Sequence, residues 1–301
     1  MRVIFALVIA ASDTGAARLS CKCRIPRMSM EQESVAPFTA SDGVTLFRRV
    51  YEPAGEPRGE ILFGHGIGEN SSRYIQSARA FADAGWRTTT WDLRGHGRSE
   101  GPRGYVKEFR RFHLDLAEQV SELQRTGRRV VVVSHSMGAL IAFGAVAAGL
   151  TKPDYLVLSA PALEARIATW KRVVAPVLSR VLPMLRIPTG IGADTSPGQR
   201  LQNLDPTAPD YLYAVTTRLG DEGFRAQRAA RAVVAAGGSF PVPTLVTQGE
   251  GDTLVRPEWT KPLAQLGNVE YVTFKGFNHH PFATLAYQAA VDEIAQRIGR
   301  R

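Results

Sequence analysis

The chain has 301 residues, of which 44% are hydrophobic and 22% are charged, and its formal net charge is +9. This composition is that of an ordinary folded protein and excludes long disordered regions outside the termini, while the length fits one α/β core with an insertion. The basic excess suits an anionic surface. Because the sequence contains no recognisable nucleic-acid-reading module, no nucleic acid partner is expected.

Residues 1–30 form a predicted N-terminal extension. Their apolar run, Val3–Ala11, is long enough for the core of a signal peptide but too short to span a bilayer. Because little positive charge precedes this run, we interpret the segment as an upstream extension, with Met28 or Met30 as the true start. The alternative is a signal peptide and an exported protein.

The two cysteines, Cys21 and Cys23, lie too close together in the sequence for a disulfide between them, and neither has another cysteine as partner. A metal site on this pair would need two further ligands nearby, and none is visible. The sequence therefore predicts a fold without disulfides, as expected of a cytoplasmic protein.

Strands and helices alternate from Phe38 to the C-terminus, which is typical of a mostly parallel central sheet flanked by helices. The predicted α/β core comprises residues 31–161 and 241–301. The predicted strands are Thr45–Tyr51, Ile61–Phe63, Thr88–Asp92, Val130–Val133, Tyr155–Ser159, Pro243–Gln248 and Val269–Phe274. Ser71 or Ser72 is predicted to cap a helix that closes at Gly85, and further helices are predicted from Val106 to Arg125 and from near Phe282.

The stretch 162–240 interrupts this alternation and contains no convincing strand, so we predict an inserted helical cap, or lid. From Arg166 to Arg186, apolar residues recur at helical spacing and every charged residue is basic. Pro176 and Pro183 are expected to kink or divide this helix. A basic amphipathic segment of this kind either makes a peripheral membrane contact or packs as a lid over the core, and both interpretations stay open.

A run of valines, Val130–Val133, breaks at Ser134–Gly138, and a helical stretch of small residues follows at once. This pattern places the Ser136 hydroxyl on a sharp strand-to-helix turn, where a serine nucleophile is exposed to substrate. Ser134 stands where a glycine is usual. We predict Ser136 as the nucleophile; the alternative is a serine-rich loop without chemistry.

A serine hydroxyl needs a base to take its proton, and the base needs an acid to fix its tautomer. With the nucleophile on such a turn, the acid and then the histidine follow it in the chain. Only His279 and His280 lie C-terminal to Ser136. We predict His279 as the base, because Pro281 restricts the backbone of the alternative, His280.

The predicted acid is Asp252, which lies in a glycine-bearing turn just after a predicted strand. Glu250, two positions earlier, is the alternative. An acidic residue in such a turn is often only a turn former, but here Asp252 completes the ordered set.

The negative charge that develops on the substrate needs preorganised N–H donors. We predict the amides of Met137, directly after the nucleophile, and of Ile67, in the glycine-rich loop 63–70. His65 and the segment Asp92–Ser99 are interpreted as braces for these loops, since their positions do not fit the order of the catalytic residues. The chemistry requires no metal and no organic cofactor.

Together, the segments 65–74, 92–101, 134–138, 249–252 and 276–279 resemble the monoacylglycerol lipase and lysophospholipase-like branch of the α/β-hydrolases. The resemblance runs from roughly Phe38 to the C-terminus. It implies an α/β-hydrolase fold with a mobile cap that docks on membranes and admits single-chain glycerides. It also implies hydrolysis of lipid-like carboxylic esters, above all monoacylglycerols, through an acyl-enzyme. The functional positions that it implies are Ser136, Asp252, His279, Ile67 and Met137.

Other functions on the same scaffold remain open: a lysophospholipase, a general carboxylesterase, an iminopeptidase-type peptidase or a non-catalytic binding protein. A peptidase would need a carboxylate in the cap to hold the substrate amine. The sequence offers Glu164, Asp205, Asp210, Asp221 and Glu222.

Overall fold

The computed structural model of the chain describes residues 33–189 and 211–300. The predicted extension 1–30, with both cysteines, lies outside the described residues. The strands are β1 (Glu33–Val35), β2 (Phe38–Thr39), β3 (Thr45–Leu46), β4 (Arg48–Tyr51), β5 (Glu60–Gly64), β6 (Arg87–Trp91), β7 (Val130–His135), β8 (Tyr155–Ser159), β9 (Arg186–Pro188), β10 (Ala214–Thr216), β11 (Ser239–Gly249) and β12 (Gly267–Phe274). The α-helices are α1 (Ile75–Asp83), α2 (Arg110–Gln124), α3 (Met137–Ala147), α4 (Thr169–Val181), α5 (Thr217–Ala236), α6 (Pro257–Thr260) and α7 (Tyr287–Gly299).

The central sheet has eight strands in the order β1-β4-β6-β5-β7-β8-β11-β12. From β6 to β12 in this order all neighbours are parallel, whereas β1 pairs antiparallel with β4, and β4 pairs antiparallel with β6. The carboxyl ends of the parallel strands therefore meet along one edge of the sheet, which is where α/β proteins carry their sites.

Strand β7 shows how the sheet is buried on both faces. Val130 and Val132 belong to the cluster beneath α2, α3 and α5, whereas Val131 and Val133 belong to the cluster beneath α1 and α7. Alternate side chains of a strand point to opposite faces, so an unbroken run of valines fits a strand covered on both sides. Each buried valine contributes about 1.5–3 kcal/mol relative to exposure.

Several predicted elements differ in detail from the structure. Thr45–Tyr51 divides into β3, which pairs with β2, and β4, which joins the main sheet. The predicted cap at Ser71 or Ser72 is wrong, because Asn70 is the capping residue: its Oδ1 accepts the N–H of Ser72 at 3.1 Å. A 3₁₀ turn, Ser71–Tyr74, then leads into α1. Helix α2 begins four residues later than predicted, and β11 begins four residues earlier. Near Phe282 the chain forms a 3₁₀ turn, Pro281–Ala283, and the last α-helix begins only at Tyr287.

The predicted cap contains strands, contrary to the sequence interpretation: β9 and β10 form an antiparallel pair. Each strand has three residues, which are too few to show the alternating pattern of a strand in the sequence. Each forms only by pairing with the other, which is distant along the chain. Pro176 neither ends nor divides α4, and Pro183 lies beyond its end. The lost hydrogen bond of an interior proline costs about 3 kcal/mol, which packing of α4 along α5 offsets.

Helix α5 packs on both α4 and α3. Its side chains Leu219, Ala230 and Val234 are part of the buried cluster on the sheet. This helix therefore covers the core as well as supporting α4, and the division of the chain at 162 and 240 stays a prediction.

None of the helices in the described ranges combines the length and the apolar character needed to cross a membrane.

Candidate active site

Ser136 occupies the sharp turn between β7 and α3. Its backbone has φ 54° and ψ −116°, a region that non-glycine residues rarely adopt. The N–H of Ser136 donates to the carbonyl of Ser159 at 2.9 Å, which helps to hold the strained turn in place. The side chain is thereby presented at the carboxyl edge of the sheet, and the residue is 7% exposed.

The serine at position 134 is accommodated because glycine lies opposite. Ser134 is paired with Gly64 on β5, and a Cβ on Gly64 would lie 3.0 Å from the Ser134 Oγ. The hydroxyl is buried and has no hydrogen-bond partner among the described residues. On the helix side, a Cβ on Gly138 would lie 2.5 Å from the His65 carbonyl, so only glycine lets the two loops approach.

His279 lies between the serine and the carboxylate. Its Nε2 is 3.1 Å from Ser136 Oγ, and its Nδ1 is 2.7 Å from Asp252 Oδ2. All three residues are buried. The structure thus brings the three sequence-predicted residues into one hydrogen-bonded chain, with distances suitable for proton transfer.

Asp252 is held as a carboxylate. Its Oδ1 accepts the N–H groups of Leu254 and Val255, each at 2.9 Å, and its Oδ2 also accepts Gln248 Nε2 at 2.8 Å. Burial alone would raise the pKa of Asp252, but the hydrogen bond and charge of His279, with those further donors, leave the pKa below its ordinary value. The acid is therefore ionised and able to orient an imidazole.

The acid loop and the histidine loop are packed against each other. They follow β11 and β12, which are parallel neighbours, so both loops leave the sheet at the same edge. Gly251 donates its N–H to the Phe277 carbonyl at 3.0 Å, and a Cβ on Gly249 would lie 2.2 Å from the Asn278 carbonyl oxygen. The alternative acid, Glu250, is exposed in this turn, and the contact to His279 is made by Asp252.

The predicted oxyanion residues lie at the junction of two loops. Met137 is the first residue of α3, and Ile67 belongs to the loop after β5. A Cβ on Gly66 would lie 3.1 Å from the Ser136 Cβ, so this loop lies directly against the nucleophile turn. Both residues are therefore located next to Ser136.

Glu69 holds the loop after β5 that carries Ile67, a role that the sequence did not reveal. Its carboxylate accepts the N–H of Gly66 at 2.9 Å and the Tyr74 hydroxyl, and it pairs with Arg73 at 2.8 Å. Although burial would raise the pKa of Glu69, the Arg73 charge and these donors keep it far below its ordinary value. Glu69 lies in the stretch 65–74 that carries the family resemblance. The contacts that give Glu69 its role are visible only in the folded structure.

His280 and His135 flank His279. Their rings lie 4.8 and 4.7 Å from the His279 ring, between centroids. Burial, together with the charge of His279, lowers the pKa of His135 to about 3 and that of His280 well below its usual range. His135 Nδ1 and Nε2 and His280 Nδ1 have no hydrogen-bond partner among the described residues. Two neutral imidazoles with unused polar atoms therefore lie beside His279.

These three histidines are the one group in the described ranges whose arrangement could hold a metal ion, with ligand atoms within 4.8 Å of one another. Zinc bonds to histidine nitrogen at about 2.0–2.1 Å, so the nitrogens would have to move closer together. Both nitrogens of His279 already contact Asp252 and Ser136. Metal binding by this group would therefore break the contacts of His279 with Asp252 and Ser136.

His65 and Asp92 brace the loops around the site. The N–H of Leu93 donates to His65 Nε2 at 2.9 Å, which leaves the proton on Nδ1 to donate to the Gly66 carbonyl at 2.7 Å. Asp92 accepts the N–H groups of Ser71 at 2.6 Å and Arg98 at 2.7 Å. Both residues thus make the structural contacts that the sequence interpretation expected.

A peptidase would need a cap carboxylate to hold the substrate amine. The three candidates that the structure describes already contact other groups of the protein. Glu164 pairs with Arg172 and Arg231, and Glu222 accepts the Phe109 N–H at 2.9 Å. Asp221 is buried and paired with Arg225 at 3.2 Å. Asp205 and Asp210 lie outside the described residues.

Comparisons with known proteins agree with this architecture. The family model described as "Serine aminopeptidase, S33" matches residues 55–283, more than half of the chain. Human monoglyceride lipase is 30% identical over 261 residues, which cover 82% of each chain. Monoacylglycerol lipase of Mycolicibacterium smegmatis is 28% identical, covering 87% of this chain and 95% of that protein. The crystal structure of Paleococcus ferrophilus monoacylglycerol lipase superposes with a TM-score of 0.70 at 24% identity, covering 84% of this chain and 97% of that one. The chain belongs to the serine aminopeptidase S33 family of α/β-hydrolases and is a carboxylic ester hydrolase of the monoacylglycerol lipase-like type.

Proposed function

We propose that this chain hydrolyses the ester bond of monoacylglycerols through a Ser136–His279–Asp252 triad and an acyl-enzyme. The observation that carries the proposal is the hydrogen-bonded chain from Asp252 Oδ2 through His279 to Ser136 Oγ, at 2.7 and 3.1 Å. A nucleophile, a base and an orienting acid at these distances are the parts that acyl transfer requires.

Ser136 Oγ attacks the ester carbonyl while His279 Nε2 takes its proton. His279 then gives that proton to the departing alcohol oxygen, which leaves the acyl group on Ser136. Water attacks the acyl-enzyme, with His279 again acting as base, and the fatty acid departs. Asp252 stabilises the imidazolium that forms in each half-reaction and stays ionised throughout.

The tetrahedral intermediate carries a negative oxygen, and we assign its donors to the amides of Ile67 and Met137. The contact between Gly66 and the nucleophile turn supports this assignment. Glu69 fixes the Gly66 amide, so the loop is held before substrate arrives and needs little reorganisation during the reaction.

The polar atoms beside His279 favour glycerol as the leaving alcohol. His280 Nδ1 lies 3.4 Å from Glu69 Oε1, and Arg73 stacks on Tyr211 with its guanidinium carbon 4.6 Å from the ring centre. The Tyr211 hydroxyl and His135 ring nitrogens are buried without a hydrogen-bond partner among the described residues. A buried polar atom without a partner costs about 1–3 kcal/mol. The two free hydroxyls of a monoacylglycerol would supply such partners, whereas a simple alkyl ester would not.

Helix α4 carries an apolar face that favours contact with a lipid surface. Trp170, Val173, Val177 and Val181 lie on one side of this helix and are 62–70% exposed. Basic residues occur on the same segment, among them Lys171 and Arg180. A basic amphipathic helix buries its apolar face in the interface and places its cations near anionic headgroups. We propose that the cap rests on the lipid surface that supplies the substrate.

A fluorophosphonate probe tests the nucleophile. Wild-type protein should be labelled, and Ser136→Ala should not. Ser134→Ala is the matched control, since it removes a serine hydroxyl from the same turn but leaves Ser136 Oγ in place. Equal labelling of Ser136→Ala and wild type would exclude Ser136 as the nucleophile.

A hydrolysis panel tests the substrate. Monoacylglycerols should have the highest kcat/KM among monoacylglycerols, lysophospholipids, p-nitrophenyl esters and prolyl amides. Preference for lysophospholipids or for small esters would replace the monoacylglycerol assignment with those functions. Efficient cleavage of prolyl amides would instead support a peptidase.

Vesicle binding tests the cap surface. Val177→Asp should reduce binding to phosphatidylcholine vesicles about tenfold or more, because it replaces an exposed apolar side chain with a charge. Glu118→Asp on α2 is a control at a distant, polar position. Unchanged binding of Val177→Asp would exclude this face of α4 from the contact.

A further inference from the structure

An open cleft of about 530 Å³ lies between the start of the cap segment, helix α5 and helix α6. The cleft is separate from the triad, and none of the residues assigned a catalytic role lines it. Its charged lining residues come from these separate parts of the chain. They are Arg166, Arg172, Arg231, Arg256, Glu164 and Glu258.

Positive charge exceeds negative charge in this cleft, because four guanidiniums face two carboxylates. Glu164 forms ion pairs with two of these guanidiniums, those of Arg172 and of Arg231, the second at 2.7 Å. Arg256 lies 3.6 Å from Glu258. In the described part of the chain, no ion-pair partner is found for Arg166. Arg172 also donates to Gln227 Oε1 at 3.2 Å and to the Ala165 carbonyl at 3.0 Å, and Arg231 donates to the Leu163 carbonyl at 2.8 Å. Since each guanidinium has five N–H donors, the donors left for a ligand are mainly those of Arg166 and Arg256.

The arginines of the cleft repel one another electrostatically. Burial lowers the pKa of Arg172, and the positive charges of Arg231 and Arg228 lower it further, against the effect of Glu164. The side chains of Arg172 and Arg231 are only 22% and 39% exposed, so solvent screens them incompletely. An anion that entered the cleft would relieve this repulsion.

The cleft is linked to the triad through the backbone. The N–H of Arg166 donates to the Leu254 carbonyl at 3.3 Å, and the N–H of Leu254 donates to Asp252 Oδ1 at 2.9 Å. Two hydrogen bonds therefore connect the wall of the cleft with the carboxylate that orients His279. A ligand held by Arg166 and Arg256 would also bridge the start of the cap segment and the core.

We propose that this cleft is an oxyanion-binding site that takes a phosphate group between the cap and the core. Guanidiniums that converge from different chain segments match an anion with several oxygens, and planar forks bind phosphate with paired hydrogen bonds. A phospholipid headgroup and free inorganic phosphate share this chemistry. The site is independent of the proposed hydrolysis, and its test measures binding alone.

Trp259 lines the cleft and provides the signal. The Trp170→Phe variant serves as the background, because it removes the emission of the exposed tryptophan on α4. Trp86 and Trp91 are only 2% and 1% exposed, so solutes do not change their emission. Inorganic phosphate, added at constant ionic strength against chloride, should change the Trp259 emission in a saturable way. Arg166→Gln and Arg231→Gln should each weaken this binding by about tenfold or more, the effect of losing a charge-assisted hydrogen bond.

Arg125→Gln is the matched control, because it removes the same charge from an exposed position at the end of α2. Vesicles of phosphatidylcholine with and without phosphatidic acid distinguish the two sources. An Arg166-dependent response to phosphatidic acid that exceeds the response to free phosphate identifies a headgroup site, and the reverse identifies a site for free phosphate. No saturable response to either, or equal weakening by Arg125→Gln, would overturn the proposal.

Discussion

Replacing Asp252 with asparagine tests the triad through the geometry of the acid itself. Asp252 Oδ1 accepts two backbone N–H groups, those of Leu254 and Val255, both at 2.9 Å. Its Oδ2 faces His279 Nδ1 at 2.7 Å. Because two fixed donors cannot face an NH₂ group, the amide oxygen must take the Oδ1 position. The NH₂ group of Asp252→Asn then points at His279 Nδ1.

This orientation gives His279 the wrong tautomer. With a donor facing it, Nδ1 becomes the acceptor and the ring proton moves to Nε2, which can then no longer take the proton of Ser136. We expect kcat to fall by about 10,000-fold, or about 5 kcal/mol of transition-state stabilisation. KM should change little, because Asp252 does not contact substrate. Steady-state kinetics on a monoacylglycerol measures both constants.

The stability of the variant must be measured in parallel. The new NH₂ group also faces Gln248 Nε2, which is a donor held by the Val255 carbonyl at 3.0 Å, while Gln248 Oε1 accepts from Thr260 at 2.9 Å. This conflict should cost about 1–3 kcal/mol in the free energy of unfolding, and the fold should persist. Glu250→Gln, with the same loss of charge in the same turn, should keep full activity. If Asp252→Asn retains more than about a tenth of kcat, or if Glu250→Gln loses it, the assignment of the acid is wrong.

Two further predictions concern stability. Ser134→Ala removes a buried hydroxyl without a described partner and should raise the free energy of unfolding by about 1 kcal/mol, measured by urea denaturation; a lower stability would show that the hydroxyl is satisfied. Burial lowers the pKa of His113 from 6.5 to about 4. Because the unfolded chain takes up this proton more readily than the folded protein, the stability linked to neutral His113 is fully present above pH 6.5 and is lost as the pH falls toward 4. His113→Leu should therefore flatten the decline in stability between about pH 6.5 and 5 by about 1 kcal/mol per pH unit, and an unchanged slope would contradict the neutral state of His113.

The sequence predicted the central sheet well because its strands are buried on both faces. Two short apolar runs, Val130–Val133 and Tyr155–Ser159, are typical of buried strands. Strand β8 has the predicted bounds. The cap was less predictable. Its strands β9 and β10 pair across a long sequence separation, and the continuity of α4 through Pro176 depends on packing along α5. Such tertiary contacts leave little trace in local periodicity.

The members of the proposed triad could be selected from the sequence because they occupy loops after parallel strands, and the order along the chain limits the choice. The surrounding network was not predictable in the same way. Glu69 contacts Gly66 and Tyr74, and Gln248 contacts Asp252, yet each of these residues is an ordinary polar side chain in sequence. Their function is defined by partners that only folding brings near.

The predicted cap, residues 162–240, is joined at Leu212 to the loop after β5 that carries Ile67. The N–H of Leu212 donates to the Gly68 carbonyl at 2.8 Å, and a Cβ on Gly68 would lie 2.5 Å from the Leu212 carbonyl oxygen. The neighbouring Tyr211 stacks on Arg73, the ion-pair partner of Glu69. Movement of the cap at this point therefore reaches the loop that carries Ile67.

Leu212→Pro and Leu212→Ala separate this tether from the side chain. Both remove the leucine side chain, but only proline removes the N–H that bonds to Gly68. We expect Leu212→Pro to lower kcat about tenfold or more relative to Leu212→Ala, because a small displacement of oxyanion donors weakens transition-state stabilisation more than substrate binding. Thermal unfolding of the two variants controls for stability. Equal kcat values for both would mean that the oxyanion loop holds its position without the cap, and that Glu69 alone is sufficient to fix it.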